Sequence, residues 1–264
     1  MTTSTSEEIF QNFLAAAKAV DDATMHSSRV DKYASMFYFF NPALQGYWSQ
    51  LESFLSTKIT PALTKQLGNL MEQIAWLAVD GLRGITTIES FQSAGPQYDL
   101  LATGDGPEWG ELSRYVYMRQ GGSFVVEAKT EKKPIGDPEF ARMCGLLANS
   151  LVCHGQVGIF FTLNGASGIP RSATRSTTKP QRTLRDCQLR QVRFRDQTGK
   201  PIIVFDQEDV RALSNGENFA LMIRQKIRAI DEQPGSDAPS INNLAQCRLP
   251  PHLDKLSNFA RKRS

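Results

Sequence analysis

The chain of 264 residues has little of what builds soft-metal or disulfide centres. Its four cysteines, Cys144, Cys153, Cys187 and Cys247, show neither CxxC nor zinc-ligand spacing. They read as free thiols of a reducing compartment. Three histidines, His26, His154 and His252, lie far apart in sequence, which argues against a His-rich metal site. No apolar run approaches the roughly 20 residues of a membrane helix. The N-terminus has no basic region followed by an apolar core, so no secretory signal is read there. There is no internal repeat, and no helix-turn-helix or zinc module to reveal a target sequence. The expectation is a cytoplasmic protein without membrane contact. A formal charge of +3 excludes neither nucleic acid nor small substrates, so the distribution of charge matters more than its sum. The apolar fraction of 41% supports a sizeable core, in one large domain or one domain with additions.

What is present begins with helical signals. Thr5 to Glu8 has capping-box spacing, and Ile9, Phe10, Phe13, Leu14, Ala17 and Val20 follow at helical intervals up to Asp21-Asp22. Val30 to Phe40 is dense in aromatics and breaks at Asn41-Pro42. A helix is predicted over 43–55, with Leu44, Tyr47, Trp48, Leu51 and Leu55 on one side. These aromatics read as packing, and a homodimer is left open. Thr60-Pro61 is a helix start, Thr as N-cap and Pro at the first helical position. Leu63, Leu67, Leu70, Ile74 and Leu77 form its main stripe. Glu72 lies on the other side, flanked by Trp76 one turn away and by Val79. It is either a solvated glutamate or a partly enclosed one.

Gly81 and Gly84 end that helix. Ile85 to Phe91 and Gln97 to Ala102 read as strands around a turn at Gly95-Pro96, and Gly104 to Gly110 as a loop. Asp99 is disfavoured inside a strand, and either a nearby turn or a functional site must explain it. Leu112 to Met118 fits helix and strand equally. After Gly121-Gly122 comes a strand from Ser123 to Thr130, in which Val125, Glu127 and Lys129 share one face and Phe124, Val126 and Ala128 the other. Buried charge is costly unless a partner, a metal or a charged ligand answers it. A polar loop, a helix from Asp137-Pro138 to Leu151 and a strand from Gln156 to Leu163 follow, a succession that implies parallel pairing by a right-handed crossover. The stretch 165–200 is basic, with Arg171, Arg175, Lys179, Arg182, Arg185, Arg190, Arg193 and Arg195. It is either a solvated face or a nucleic-acid contact, and its Ser and Thr donors favour the contact. Pro201 to Phe205 is a strand, Asp206 to Leu213 and Glu217 to Ile230 are helices, 231–240 is a linker, and the tail ends in Arg261-Lys262-Arg263.

Taken in order, Glu72 on a helix, Asp99 on a strand and Glu127-Ala128-Lys129 on the next strand resemble the PD-(D/E)xK nuclease superfamily, whose fold is restriction-endonuclease-like. The helix and strand after Lys129 fall where that family has them, and 201–230 is similar to the closing elements of Mrr-like members. Gln97-Tyr98 stand where many members carry a proline, and 165–200 is long for a connection. The resemblance covers roughly 60–230. It implies an α/β fold: a mixed central sheet flanked by helices, here with an N-terminal helical addition over 1–59 and a linker with a basic tail over 231–264.

It also implies a Mg²⁺-dependent endonuclease that hydrolyses DNA phosphodiester bonds, with restriction or anti-phage defence as its setting and Mn²⁺ as a substitute ion. Asp99, Glu127 and the Ala128 carbonyl would ligate the metal, with Glu72 as a further ligand. Lys129 would orient the attacking water and offset charge on the phosphate. Arg171, Arg175, Lys179, Arg182 and Arg185 would hold the DNA backbone. Two readings compete: a catalytically silent nuclease-like scaffold that binds nucleic acid or a protein partner, and an assembly protein using the aromatic N-terminal helices. For Glu127 and Lys129 the competing reading is a surface ion pair on a half-exposed strand.

Overall fold

The computed structural model describes residues 8, 11–12, 15–16, 28–56, 60–91, 98–119, 121–131, 133–149, 154–169 and 186–236. By contacts the chain divides into Met1–Ile230 and Asp231–Ser264. The first unit holds everything described below, and of the second, residues 231–236 are helical.

Among the described residues the strands β1 (Ile85–Phe91), β2 (Tyr98–Gly104), β3 (Ser123–Lys129), β4 (Gly155–Thr162) and β5 (Ile202–Phe205) form one sheet in that order. β1, β2 and β3 pair antiparallel, whereas β3, β4 and β5 pair parallel. A 3₁₀ helix (Ser28–Met36) precedes the helices α1 (Ala43–Leu55), α2 (Pro61–Asp80), α3 (Gly106–Tyr115), α4 (Asp137–Ala148), α5 (Asp186–Thr198), α6 (Gln207–Ser214) and α7 (Phe219–Ser236). Parallel strands need crossovers, which α4 and α5 supply on either side of β4. The mixed sheet with flanking helices is the expected α/β architecture. No helix among the described residues is long and apolar enough to cross a membrane.

Alternation along the strands divides the core into two clusters. Phe124 and Val126 of β3, with Val157, Ile159 and Phe161 of β4, join Met71 and Ile74 of α2 and Ile223 and Ile227 of α7. Phe37, Leu44, Trp48 and Leu51 from 28–56 belong to this same cluster. On the opposite face, Val125 and Phe160 meet Phe140, Met143 and Leu147 of α4 and Cys187 and Phe194 of α5. A sheet covered on both faces explains why β3 and β4 read as almost continuous apolar runs. Gly158 of β4 sets how closely α4 approaches: a Cβ there would lie 2.9 Å from Met143 Cγ and 3.0 Å from Leu147 Cδ1.

Several expectations are corrected. The segment 104–110 is not a loop, because Pro107 and Glu108 stand in the first turn of α3, right after the positive φ of Gly106. The ambiguous stretch 112–118 completes that helix and leaves it through Tyr117, at a φ of 58°. The helix predicted to reach Leu151 stops at Ala148. Residues 231–236 continue α7 instead of beginning a linker. Helix α5 was not anticipated within the basic stretch, because its buried face includes Gln188 and Gln191. Gln191 compensates by donating to the Ile202 carbonyl at 2.6 Å. Of the helix predicted over 5–20, the described positions are helical; the rest, the turn at 95–96 and the tail lie outside the described residues.

Candidate active site

β3 is the middle strand, so its carboxyl end has neighbours on both sides. Glu127 is 1% exposed there. β2 pairs Leu100 with Val126 and Leu101 with Val125. Continuing that register sets Asp99 beside Glu127, with both on the α4 face of the sheet. The Asp99 carboxylate accepts a hydrogen bond from the Ala128 N–H at 2.6 Å, which fixes it against β3 where the β2 ladder ends. That bond gives the mid-strand aspartate a reason independent of any turn.

Lys129 lies on the same face, its Nζ 2.8 Å from Glu127 Oε1. A second cation arrives from α4: the Arg142 guanidinium donates to the same Oε1. The other oxygen, Oε2, is buried and has no hydrogen-bond partner. Glu127 and Lys129 are therefore not a surface pair on a half-exposed strand, since the carboxylate is withdrawn from water. Glu72 projects from α2 on that helix's exposed side, so the enclosed reading is corrected. Its carboxyl is still pushed above the usual range, by partial loss of hydration and then by the Asp99 charge, with Lys129 opposing. Glu72 is thus within electrostatic reach of both.

The segments after β3 and β4 are fastened together beside this site. Ile135 donates to the Gly165 carbonyl at 2.9 Å, and Ser167 donates to the Ile135 carbonyl at 2.8 Å. Asn164 reaches the Glu131 carbonyl at 2.7 Å. Arg190 of α5 grips Asp137, at the start of α4, through two bonds of 2.6 Å each. Arg190 is therefore engaged in structure. Arg171, Arg175, Lys179, Arg182 and Arg185, the expected backbone contacts, lie outside the described residues.

The structure brings Asp99, Glu127 and Lys129 to one end of one sheet and leaves Glu72 at its margin. No group of three or more His, Cys, Asp or Glu side chains placed to hold a metal ion occurs among the described residues. Mg²⁺ asks for less: it keeps several waters and binds through one or two carboxylates plus phosphate. Asp99 and Glu127 meet that requirement, and the orphaned Glu127 Oε2 is an acceptor that a hard cation would satisfy. Sequence reasoning missed Arg142. The sequence shows only that Arg142 is the one basic residue of α4; that this helix covers the face carrying Glu127 emerges from the fold. No family model, curated protein or solved structure matches this chain.

Proposed function

We propose that this site hydrolyses phosphodiester bonds of DNA as a divalent-metal-dependent endonuclease built on a restriction-endonuclease-like core. The observation that carries the reading is Glu127: a buried carboxylate with one unpartnered oxygen, set between Asp99 on β2 and Lys129 on its own strand. Buried polar atoms without partners are uncommon and call for a ligand. Asp99 and Glu127 would hold Mg²⁺ or Mn²⁺, with the Ala128 carbonyl and Glu72 as further oxygens. The ion supplies Lewis-acid polarisation of the phosphoryl group and a bound water of lowered pKa.

The chain's own groups do the rest. Lys129 orients the attacking water and offsets the negative charge that gathers on the phosphate. Asp99 is held by the Ala128 N–H, so it is positioned before substrate arrives. Incubation of the purified protein with plasmid should give nicked and linear products in Mg²⁺ and none in EDTA. Lys129→Ala should slow cleavage at least about a hundredfold, the usual scale for losing one electrostatic or proton-handling group. Cleavage that persists at the wild-type rate in Lys129→Ala sinks the assignment.

A second reading has one observation in its favour. Two cations already neutralise Glu127, as they would in a scaffold that binds nucleic acid or a protein partner without cutting. Salt-sensitive DNA binding with plasmid left intact in Mg²⁺ and Mn²⁺ would select it.

A further inference from the structure

Glu127 faces two cations where one would balance it. Lys129 and Arg142 both reach Oε1, while Oε2 has no partner. With Asp99 beside Glu127, two carboxylates meet two cations, and Glu127 is one that water barely touches. Two cations on one oxygen repel each other, and a further anion within reach relieves that repulsion. Asp99 supplies that anion, since a hydrogen bond from the neutral Ala128 N–H leaves its carboxylate charge in place. A divalent cation held by the two carboxylates would release both donors, and the pair would then accommodate an anion with several oxygens to share.

Arg142 is placed to serve it. α4 turns Phe140, Met143, Leu146 and Leu147 into the core, and Arg142 stands on the flank of that face with its side chain 39% exposed. One end is fixed on a packed helix and the other is half in water. The guanidinium is bonded to Glu127, so its release requires that another cation take up that carboxylate. Its planar fork matches two non-bridging phosphate oxygens, which the point charge of Lys129 does not.

We infer that Arg142 is a phosphate-binding residue of this site, one that yields Glu127 to a divalent cation and then holds the non-bridging oxygens of the strand to be cut. This rests on the phosphodiesterase reading and adds to it a residue outside β3. Guanidinium and divalent cation seek the same carboxylate, so each lowers the other's hold on it by the same factor. Removing Arg142 therefore strengthens the cation's grip and weakens the grip on nucleic acid. A residue that merely props the site would weaken both.

Opposite movements of two affinities make the test. Mn²⁺ alone is titrated calorimetrically into the full chain and into Arg142→Ala, Arg142→Lys and Arg142→Gln. A fluorescein-labelled DNA oligonucleotide is titrated by anisotropy in Ca²⁺ over a range of salt. Arg142→Ala should bind Mn²⁺ about tenfold more tightly than wild type, a typical coupling between competing sites. It should bind the oligonucleotide about tenfold more weakly, as expected for one lost charge-assisted contact. The slope of log affinity against log salt should fall by about 0.7–0.9, the loss of one phosphate contact. Arg142→Lys should lie between.

Mn²⁺ affinity that is unchanged or weaker in a folded Arg142→Ala overturns the inference, as does an unchanged salt slope. Should Arg142→Ala not fold, the Arg142→Lys and Arg142→Gln pair carries the same comparison. Failure of the underlying reading looks different: wild type and Glu127→Gln would take up Mn²⁺ equally, and that result overturns both.

Discussion

A carboxylate withdrawn from water has to be answered by charge, and Glu127 is answered twice on one oxygen and not at all on the other. How closely Arg142 holds it depends on a residue with no side chain. Gly158 sits across from Val125 on β4, under Met143 and Leu147 of α4. An added methyl would press on both at about van der Waals overlap, so Gly158→Ala must push α4 outward or turn its side chains. Both neighbours are flexible, which keeps the expected cost near the low end for overpacking, about 1–2 kcal/mol. If the helix moves, Arg142 is carried away from Glu127. DNA binding should then fall severalfold in a protein that denatures only slightly earlier in urea. Unchanged binding would mean that side-chain rotation absorbs the methyl and that α4 does not set the position of Arg142.

At the scale of elements, α4 is held from its other end by α5. Arg190 grips Asp137, and the hydrogen bond from Arg190 lowers the Asp137 pKa below the ordinary carboxylate range. Loss of hydration works against this, and the guanidinium charge adds to it. A depressed folded pKa gives stability that is present above the unfolded pKa of about 3.9 and lost as pH falls through the lower folded value. Arg190→Gln should therefore melt below wild type at neutral pH. The gap should hold down to about pH 4, then close in more acid solution. Both partners are partly solvated, so the gap should be small and should shrink in salt. A gap that widens on acidification would contradict this role for the pair.

The same two helices mark how far sequence reached. α4 was legible because Asp137-Pro138 opens it and its apolar residues recur at helical spacing. α5 was not, since its buried face includes glutamines whose bonds are visible only once β5 is in place. α3 was hidden by Gly104, Gly106 and Pro107, which read as a loop until the chain is seen to turn into a helix through them. Glu127 and Lys129 could be placed on one face in advance because strand alternation is local, whereas Asp99 was joined to them only through the family resemblance. Arg142 could not be joined to Glu127 from spacing alone, because their contact crosses from helix to sheet.

The first unit is closed by a contact spanning nearly two hundred residues of sequence. Arg224 of α7 is completely buried, and its Nε lies 2.7 Å from Asp31 in the 3₁₀ helix. It donates to the Tyr115 carbonyl at 2.6 Å and lies 4.7 Å from the ring centroids of Tyr115 and Tyr117. Arg228 reaches Asp31 at 3.2 Å. A buried guanidinium is tolerable only while its partners remain, and removing one partner of a buried pair costs about 3–5 kcal/mol. Asp31 is partly solvated, and the Tyr115 carbonyl and both rings would stay. The expected loss for Asp31→Ala is therefore near the lower bound, about 3 kcal/mol. At about 2–4 °C per kcal/mol for a domain of this size, the melting temperature should drop by about 10 °C. Asp31→Leu with Arg224→Met removes both charges and should recover much of that loss, because desolvation of the pair no longer has to be met. A single variant melting within about 2 °C of wild type would show that the 3₁₀ helix is held by Phe37, Leu44 and Trp48 in the core instead of by charge.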